Sequence, residues 1–402
     1  MNPHRLSWGF AYEFPFAQVI AIVTIFAFII SREKKSIEVS PILVLWGIYF
    51  FWTCVTTVFA IYPELAMNDI KQFTKITFMA LLSVFLINSK LRLNHLVWII
   101  VLSFGFFGVK GGIFTILTGG SSKVWGPADS FIEDNNALAL ALIMTLPLMR
   151  YLHLNAKNAI IKFGLLGVML LTAVAVLGTQ SRGGMLGLVA MVIFLVLKSR
   201  HRALFGMLII ISAFTLYNFM PPSWHDRMAS ISNYEKDQSA QGRIRAWVYS
   251  YRLAKERPLV GGGFSPYSEE QYKRLGVDAS YWQGAHSIYF QNLAEHGFIG
   301  LALFLILGFA VFRRLSKIIK VAKKNTEMYW ARDLAAMMQV SMFGYAISGT
   351  FLELAGFDYI YQIVAMTMIL ATLVKRHEMK LNSKEVGEYS NFSDETTGLR
   401  RT

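Results

Sequence analysis

Three short strings set ionisable side chains where the surrounding residues are apolar. GTQSRGGMLGL (178–188) places Arg182 between two apolar runs, with Gly183 and Gly184 behind it. QGRIRAWVYSYRLAKERPLVGGGF (241–264) carries Arg243 and Arg245. GAHSIYFQNLAEHGFIGLALF (284–304) carries His286 and Glu295. Ionisable groups near membrane depth are rare and point to function by default. Arginine offers a planar fork that fits phosphate oxygens and stays charged. Histidine titrates near pH 6.5 and can move a proton at neutral pH. Anion binding and general-base catalysis are therefore the chemistry these strings suggest. Each also has a plainer reading. Arg182 can snorkel to lipid phosphates, residues 241–256 can lie as a basic amphipathic helix on headgroups, and His286 can be an interfacial structural residue.

Spacing sharpens the candidates. Residues 241–256 read as a helix ended by Pro258 and by Gly261, Gly262 and Gly263. On it, Arg243 shares a face with Trp247, Ser250 and Tyr251, and Arg245 shares the nearly opposite face with Tyr249 and Arg252. Only one face can look into a cavity. The glycine run around Gly262 can form an anion nest of backbone N–H groups or a plain turn. Glu295 follows His286 by nine residues, out of phase on one straight helix. Lys110 in GFFGVKGG (105–112) and the acidic string GPADSFIEDNNALAL (126–140) are weaker candidates. Helix capping accounts equally well for Asp129, Glu133 and Asp134. Glu353 and Asp358 flank a late turn, and Glu235 and Asp237 form a close acidic pair that reads as solvated linker or metal ligands. With no HExxH string, no paired cysteine and no close histidine pair, no metal site is predicted.

Such residues need a scaffold, and composition names its class. The chain has 402 residues, 54% apolar and only 16% charged, with mean hydropathy +0.44. About a quarter charged is normal for a soluble domain, so an ordinary soluble enzyme is excluded. The sequence predicts an all-α, polytopic transmembrane bundle. Its spans fall near 15–30, 42–61, 73–88, 95–117, 136–149, 159–178, 184–197, 203–220, 286–312, 333–351 and 358–374, eleven in all. Lys and Arg concentrate in loops 31–41, 89–94, 150–158, 198–202 and 313–332, which is every second loop. Those loops belong to the cytoplasm, so the net charge of +14 implies no nucleic acid. Four regions follow: membrane helices over 1–220, a long external loop at 221–285, membrane helices over 286–374, and a cytoplasmic, disordered tail at 375–402. Nine basic and seven acidic residues nearly balance the long loop. The single cysteine, Cys54, cannot form an internal disulfide.

The order of SRGG, then GRIRAW with PLVGGGF, then AHSIYFQNLAEHGFIG, around one long external loop, resembles the O-antigen ligase and polymerase superfamily of bacterial membrane glycosyltransferases. The likeness spans roughly residues 120–310. The opening MNPHRLSWGFAYEFPFAQ and the string GPADSFIEDNNALALAL are similar to a narrower branch, the O-glycosylation ligases associated with the exosortase A system. The resemblance implies an inner-membrane enzyme with a periplasmic site. It would move a glycan from undecaprenyl pyrophosphate to an acceptor hydroxyl on a glycan, lipid or protein, with no cofactor. It carries onto Arg182, Arg243 and His286 as catalytic residues, the arginine four residues before the tryptophan selecting Arg243 over Arg245. Arg245, Trp247, Gly262, Lys110 and Glu295 are the substrate-binding candidates. Family members commonly have twelve spans and a cytoplasmic N-terminus, so the match begins one helix late. Ser287 stands where ligases often have Asn. A polymerase of the same superfamily, or a transporter of lipid-linked saccharides, are the alternatives; no internal repeat of the transporter kind is visible.

Overall fold

A computed structural model describes residues 9–33, 39–198, 206–207, 214–215, 217–229 and 238–398. No strand occurs among them. The helices are α1 (Phe16–Ile30), α2 (Pro41–Val58), α3 (Pro63–Leu86), α4 (Lys90–Leu117), α5 (Asn135–Asn155), α6 (Ala159–Gly178) and α7 (Arg182–Lys198). After these come α8 (Pro222–Ala229), α9 (Gln238–Glu256), α10 (Glu269–Arg274), α11 (Ile288–Ala322), α12 (Tyr329–Ser348) and α13 (Asp358–Gly398). Ten of the eleven expected spans coincide with a helix; the eleventh, 203–220, lies largely outside the described residues, as does the Glu235/Asp237 pair. Among the described residues six helices are long and apolar enough to cross a membrane: α2, α4, α5, α6, α11 and the first part of α13, Asp358–Leu381. α1 and Arg182–Val196 of α7 are apolar but shorter.

Local chemistry sets the boundaries. Ser40 caps α2 through Leu43 N, Ser89 caps α4 through Arg92 N, and Asn158 caps α6 through Ile160 N. Asp134 caps α5 by accepting from the N–H groups of Asn136 and Ala137. Each supplies an acceptor to a helix start whose own N–H groups have no intrahelical partner. α5 is the central post. Leu138 to Met144 are fully buried, and α4, α6, α7 and α12 pack around it. The acidic string that precedes it is thereby held against the bundle.

Two expectations are corrected. The tail was expected to be disordered from Lys375, yet the backbone stays helical to Gly398. Residues 375–398 contain no proline and are rich in Lys and Glu, which propagate a helix already nucleated by the apolar part of α13. The second correction concerns α11, which runs to Ala322 and is broken at Gly297, where φ is +68° and ψ −170°. Such a break frees backbone groups that must find other partners. The segment after Pro258 provides them. Phe298 N donates to Pro258 O (2.9 Å), Gly262 N to Ala294 O (2.7 Å) and Gly263 N to Glu295 O (2.9 Å). Trp52 Nε1 donates to the freed carbonyl of His296 (3.1 Å). A Cβ on residue 297 would also lie 2.4 Å from Leu259 O, so the backbone crossing needs glycine there. The PLVGGGF string is thus a strap docked across a broken helix.

Candidate active site

His286 lies in the turn before α11, where the long loop meets the bundle. Its φ is +43°, a left-handed conformation that non-glycine residues rarely adopt. The turn is held from two sides. Glu353, in the turn between α12 and α13, accepts from Ala285 N at 3.2 Å and from the backbone N–H of His286. From the loop side, Trp247 Nε1 on α9 donates to Ala285 O at 2.9 Å. The Trp247 ring also stacks on Phe290, with centroids 5.1 Å apart and planes 8° from parallel. A Cβ on Gly284 would lie 1.9 Å from Glu353 Oε2, so glycine is what admits the carboxylate to this turn. Burial raises the Glu353 carboxyl to about 7; the two N–H groups oppose the rise, and the charge of Asp69 adds to it. Burial pushes the His286 imidazole below its usual range, the Arg243 charge adds to the fall, and Asp134 opposes it.

Arg243 and His286 are therefore electrostatic neighbours. Arg182 opens α7. Residues 179–181, just before it, are buried and pinned. Asn135 Nδ2 donates to Thr179 O (2.7 Å), Gln180 Nε2 to Gly120 O (3.1 Å) and Arg227 Nε to Gln180 O (2.8 Å). Gln180 itself has φ +54°. Next to Arg182, Gly183 faces Phe351, whose ring lies 6.4 Å from that of Trp247. Two further cations join this end of the bundle. Lys123 senses the charges of Arg227 and Asp134, with burial the main cause of its lowered pKa. Asp134 thus acts on both Lys123 and His286, Arg227 on Lys123, and Arg243 on His286. Lys123 and Arg227 carry no local pattern that would single them out in the sequence.

The other sequence candidates behave differently. Arg245 is ion-paired to Asp278 at 2.9 Å on the loop surface, and its neighbour Tyr249 is buried against Tyr272 (ring centroids 4.2 Å apart). The two faces of α9 are thus divided as the helical spacing predicts, with Arg243 toward His286. Gly262 forms no anion nest: its N–H is bonded to Ala294 O and its carbonyl to Ile61 N. Trp247 is engaged with Ala285 and Phe290 rather than open for stacking. Glu295 is buried beneath the strap, near Ser265 N and Gln291 Nε2. Lys110 sits on the exposed side of α4. Beyond those candidates, three aromatic residues of the long loop divide by burial: Trp224 is buried, whereas Tyr281 and Trp282, a few positions before His286, are exposed. Among the described residues no group of three or more His, Cys, Asp or Glu is placed to hold a metal ion. A cavity of about 620 Å³ opens between the loops that carry Asp134 and Glu353, lined by Gln72, Asp129, Ser130, Phe131, Glu133 and Asp358 among others.

The apolar helices of the chain, six of them among the described residues long enough to cross a membrane, define a multi-pass membrane protein. Residues 167–305 match the family model described as O-antigen ligase, and residues 1–157 match a family of unknown function, DUF5935. No curated protein matches the chain. The segment at 167–305 that is similar to the O-antigen ligase family contains Arg182, Arg243 and His286.

Proposed function

We propose that this protein transfers a glycan from undecaprenyl pyrophosphate to an acceptor hydroxyl at the periplasmic face of the inner membrane. The reading is supported by the charge of Arg243 acting on His286, by Asp134 acting on both His286 and Lys123, and by the O-antigen ligase match over the segment that holds Arg182, Arg243 and His286. In the transfer, the acceptor oxygen attacks the anomeric carbon and the bond from that carbon to the pyrophosphate oxygen breaks. The electron pair departs with the pyrophosphate, and Arg182 and Arg243 meet the charge as it grows. The acceptor proton passes to His286. With its pKa below the usual range, the imidazole is neutral at pH 7 and free to accept that proton. One displacement inverts the anomeric carbon. The carboxylates and Phe131 of the 620 Å³ cavity provide acceptors and an apolar face for sugar hydroxyls and ring C–H groups. The acceptor is a protein or an exopolysaccharide, in keeping with the exosortase-associated branch.

The test is reconstitution with a defined undecaprenyl-pyrophosphate glycan, with chelator present, scoring released lipid pyrophosphate against candidate acceptors. Transfer should proceed in chelator and be lost in His286→Ala, Arg182→Ala and Arg243→Ala proteins that remain monodisperse. Near-normal transfer by His286→Ala would remove the base assignment. Joining of two lipid-linked glycans would make the enzyme a polymerase. Movement of intact donor without cleavage would make the protein a transporter.

A further inference from the structure

The opposite end of the bundle holds a second site that the transfer reaction does not use. A cavity of about 440 Å³ lies between α11, α13, the end of α3 and the start of α2. Four cations line it: Arg313, Arg314 and Lys317 from α11, and Arg376 from α13. Its remaining walls are mostly apolar, and among the described lining residues there is no carboxylate. The nearby Glu33 is already engaged by Arg92, at 2.5 and 2.7 Å, and by Asn88. The cavity is lined by Ser40 and Pro41 at the start of α2, whereas Ala60, just past the other end of α2, packs against Gly263 of the strap, so the 18 residues of α2, about 27 Å of helix, separate the two. The cavity therefore belongs to the other membrane surface from His286.

Basic residues at cytoplasmic helix ends are common and need no ligand. Here they converge from two helices distant in sequence onto one concave site. The wall beneath them faces lipid: Ile306 and Phe309 are 48% and 62% exposed, and the Arg313 guanidinium lies 5.6 Å from the Phe309 ring centroid. A cationic floor continuous with a lipid-facing apolar wall matches one chemistry, a phosphodiester with acyl chains attached. We propose that this cavity binds an anionic phospholipid of the cytoplasmic leaflet. The phosphate sits among Arg313, Arg314, Lys317 and Arg376, and a chain lies along Ile306 and Phe309.

The experiment uses the full chain in a neutral detergent. Native mass spectrometry and thermal denaturation are read with phosphatidylglycerol, phosphatidylcholine or glycerol phosphate added. Phosphatidylglycerol should bind at least tenfold more tightly than phosphatidylcholine and raise the midpoint, and glycerol phosphate should do neither. The double variant Arg313→Gln, Arg376→Gln should lose at least tenfold in phosphatidylglycerol affinity. The double variant Arg313→Lys, Arg376→Lys, matched in charge, should keep most of it and so separates lost binding from lost folding. A further variant, Ala310→Trp, narrows the cavity without changing charge and should also weaken the lipid. Equal binding of the two phospholipids, or unchanged phosphatidylglycerol binding in a monodisperse Gln variant, overturns the proposal. Saturation by glycerol phosphate alone overturns it in favour of a soluble-anion site.

Discussion

Replacing Glu353 by glutamine should make the protein progressively more stable than wild type as pH rises from 5 to 8. In the folded protein Glu353 is tucked against the N–H groups of Ala285 and His286, and its carboxyl is raised to about 7 from an ordinary 4.5. The sign follows from that direction. A carboxyl raised on folding favours the protonated fold, so its contribution is fully present below about pH 4.5 and is lost as pH climbs through about 7. The rise from 4.5 to about 7 sets a ceiling of roughly 3 kcal/mol, reached only above pH 7. Glutamine keeps the shape and one carbonyl acceptor but does not ionise. The assay is the denaturation midpoint of both proteins in one detergent at closely spaced pH values. The curves should diverge between pH 5 and 8, the variant flat where the wild type declines. Because the two N–H groups bond the ionised carboxylate more strongly than the neutral one, the turn that carries His286 should keep its place, and kcat of wild type and Glu353→Gln should run parallel on the alkaline side. The acid limb, set by His286, should be common to both. Parallel stability curves across this range would refute the reasoning, because Glu353 would then titrate as a solvated carboxylate and could not hold the turn.

Glu353→Ala removes the acceptor from two buried N–H groups, at about 1–3 kcal/mol each, and should lower kcat at least tenfold with little change in donor KM. Arg245→Ala should leave transfer within a few-fold of wild type, because its partner is Asp278 rather than the His286 region; Arg243→Ala should abolish it. Lys123→Ala and Arg227→Ala should raise donor KM by about tenfold and flatten its dependence on salt, as expected when one charge–phosphate contact of about 1.5 kcal/mol is lost. Gly297→Ala places a Cβ 2.4 Å from Leu259 O at φ +68°. It should destabilise the protein by at least 2 kcal/mol, seen as a lower midpoint and reduced yield.

Much of the scaffold was legible because bilayer physics acts locally. A span needs its apolar length, a start needs a cap and a cytoplasmic loop needs its bases, and each requirement is met by adjacent residues such as Ser89 or Asp134. The division between Arg243 and Arg245 was legible for the same reason, since two residues apart on a helix means nearly opposite faces. What escaped is non-local. The break at Gly297 is stable only because residues 258–263, nearly forty positions earlier, bond to the groups it frees. Lys123 and Arg227 enter the site through Asp134 and Gln180, from loops that no periodicity connects.

The motifs that carry the family resemblance divide into two kinds of work. In PLVGGGF and in Glu295, His296 and Gly297, polar and glycine residues serve the broken helix: their backbone groups satisfy one another, and His296 Nδ1 bonds to Thr56 Oγ1 at 2.8 Å inside the bundle. His286 stands outside that network by side chain, but its backbone is clamped by Glu353 and, through Ala285, by Trp247. A histidine at φ +43° is held only if its surroundings over-determine it. The strap fixes the first turns of α11, the clamp fixes the turn before them, and together they deny His286 the freedom to swing away from Arg243. Ordered, glycine-rich strings on both sides of His286 are therefore what this geometry demands of the sequence.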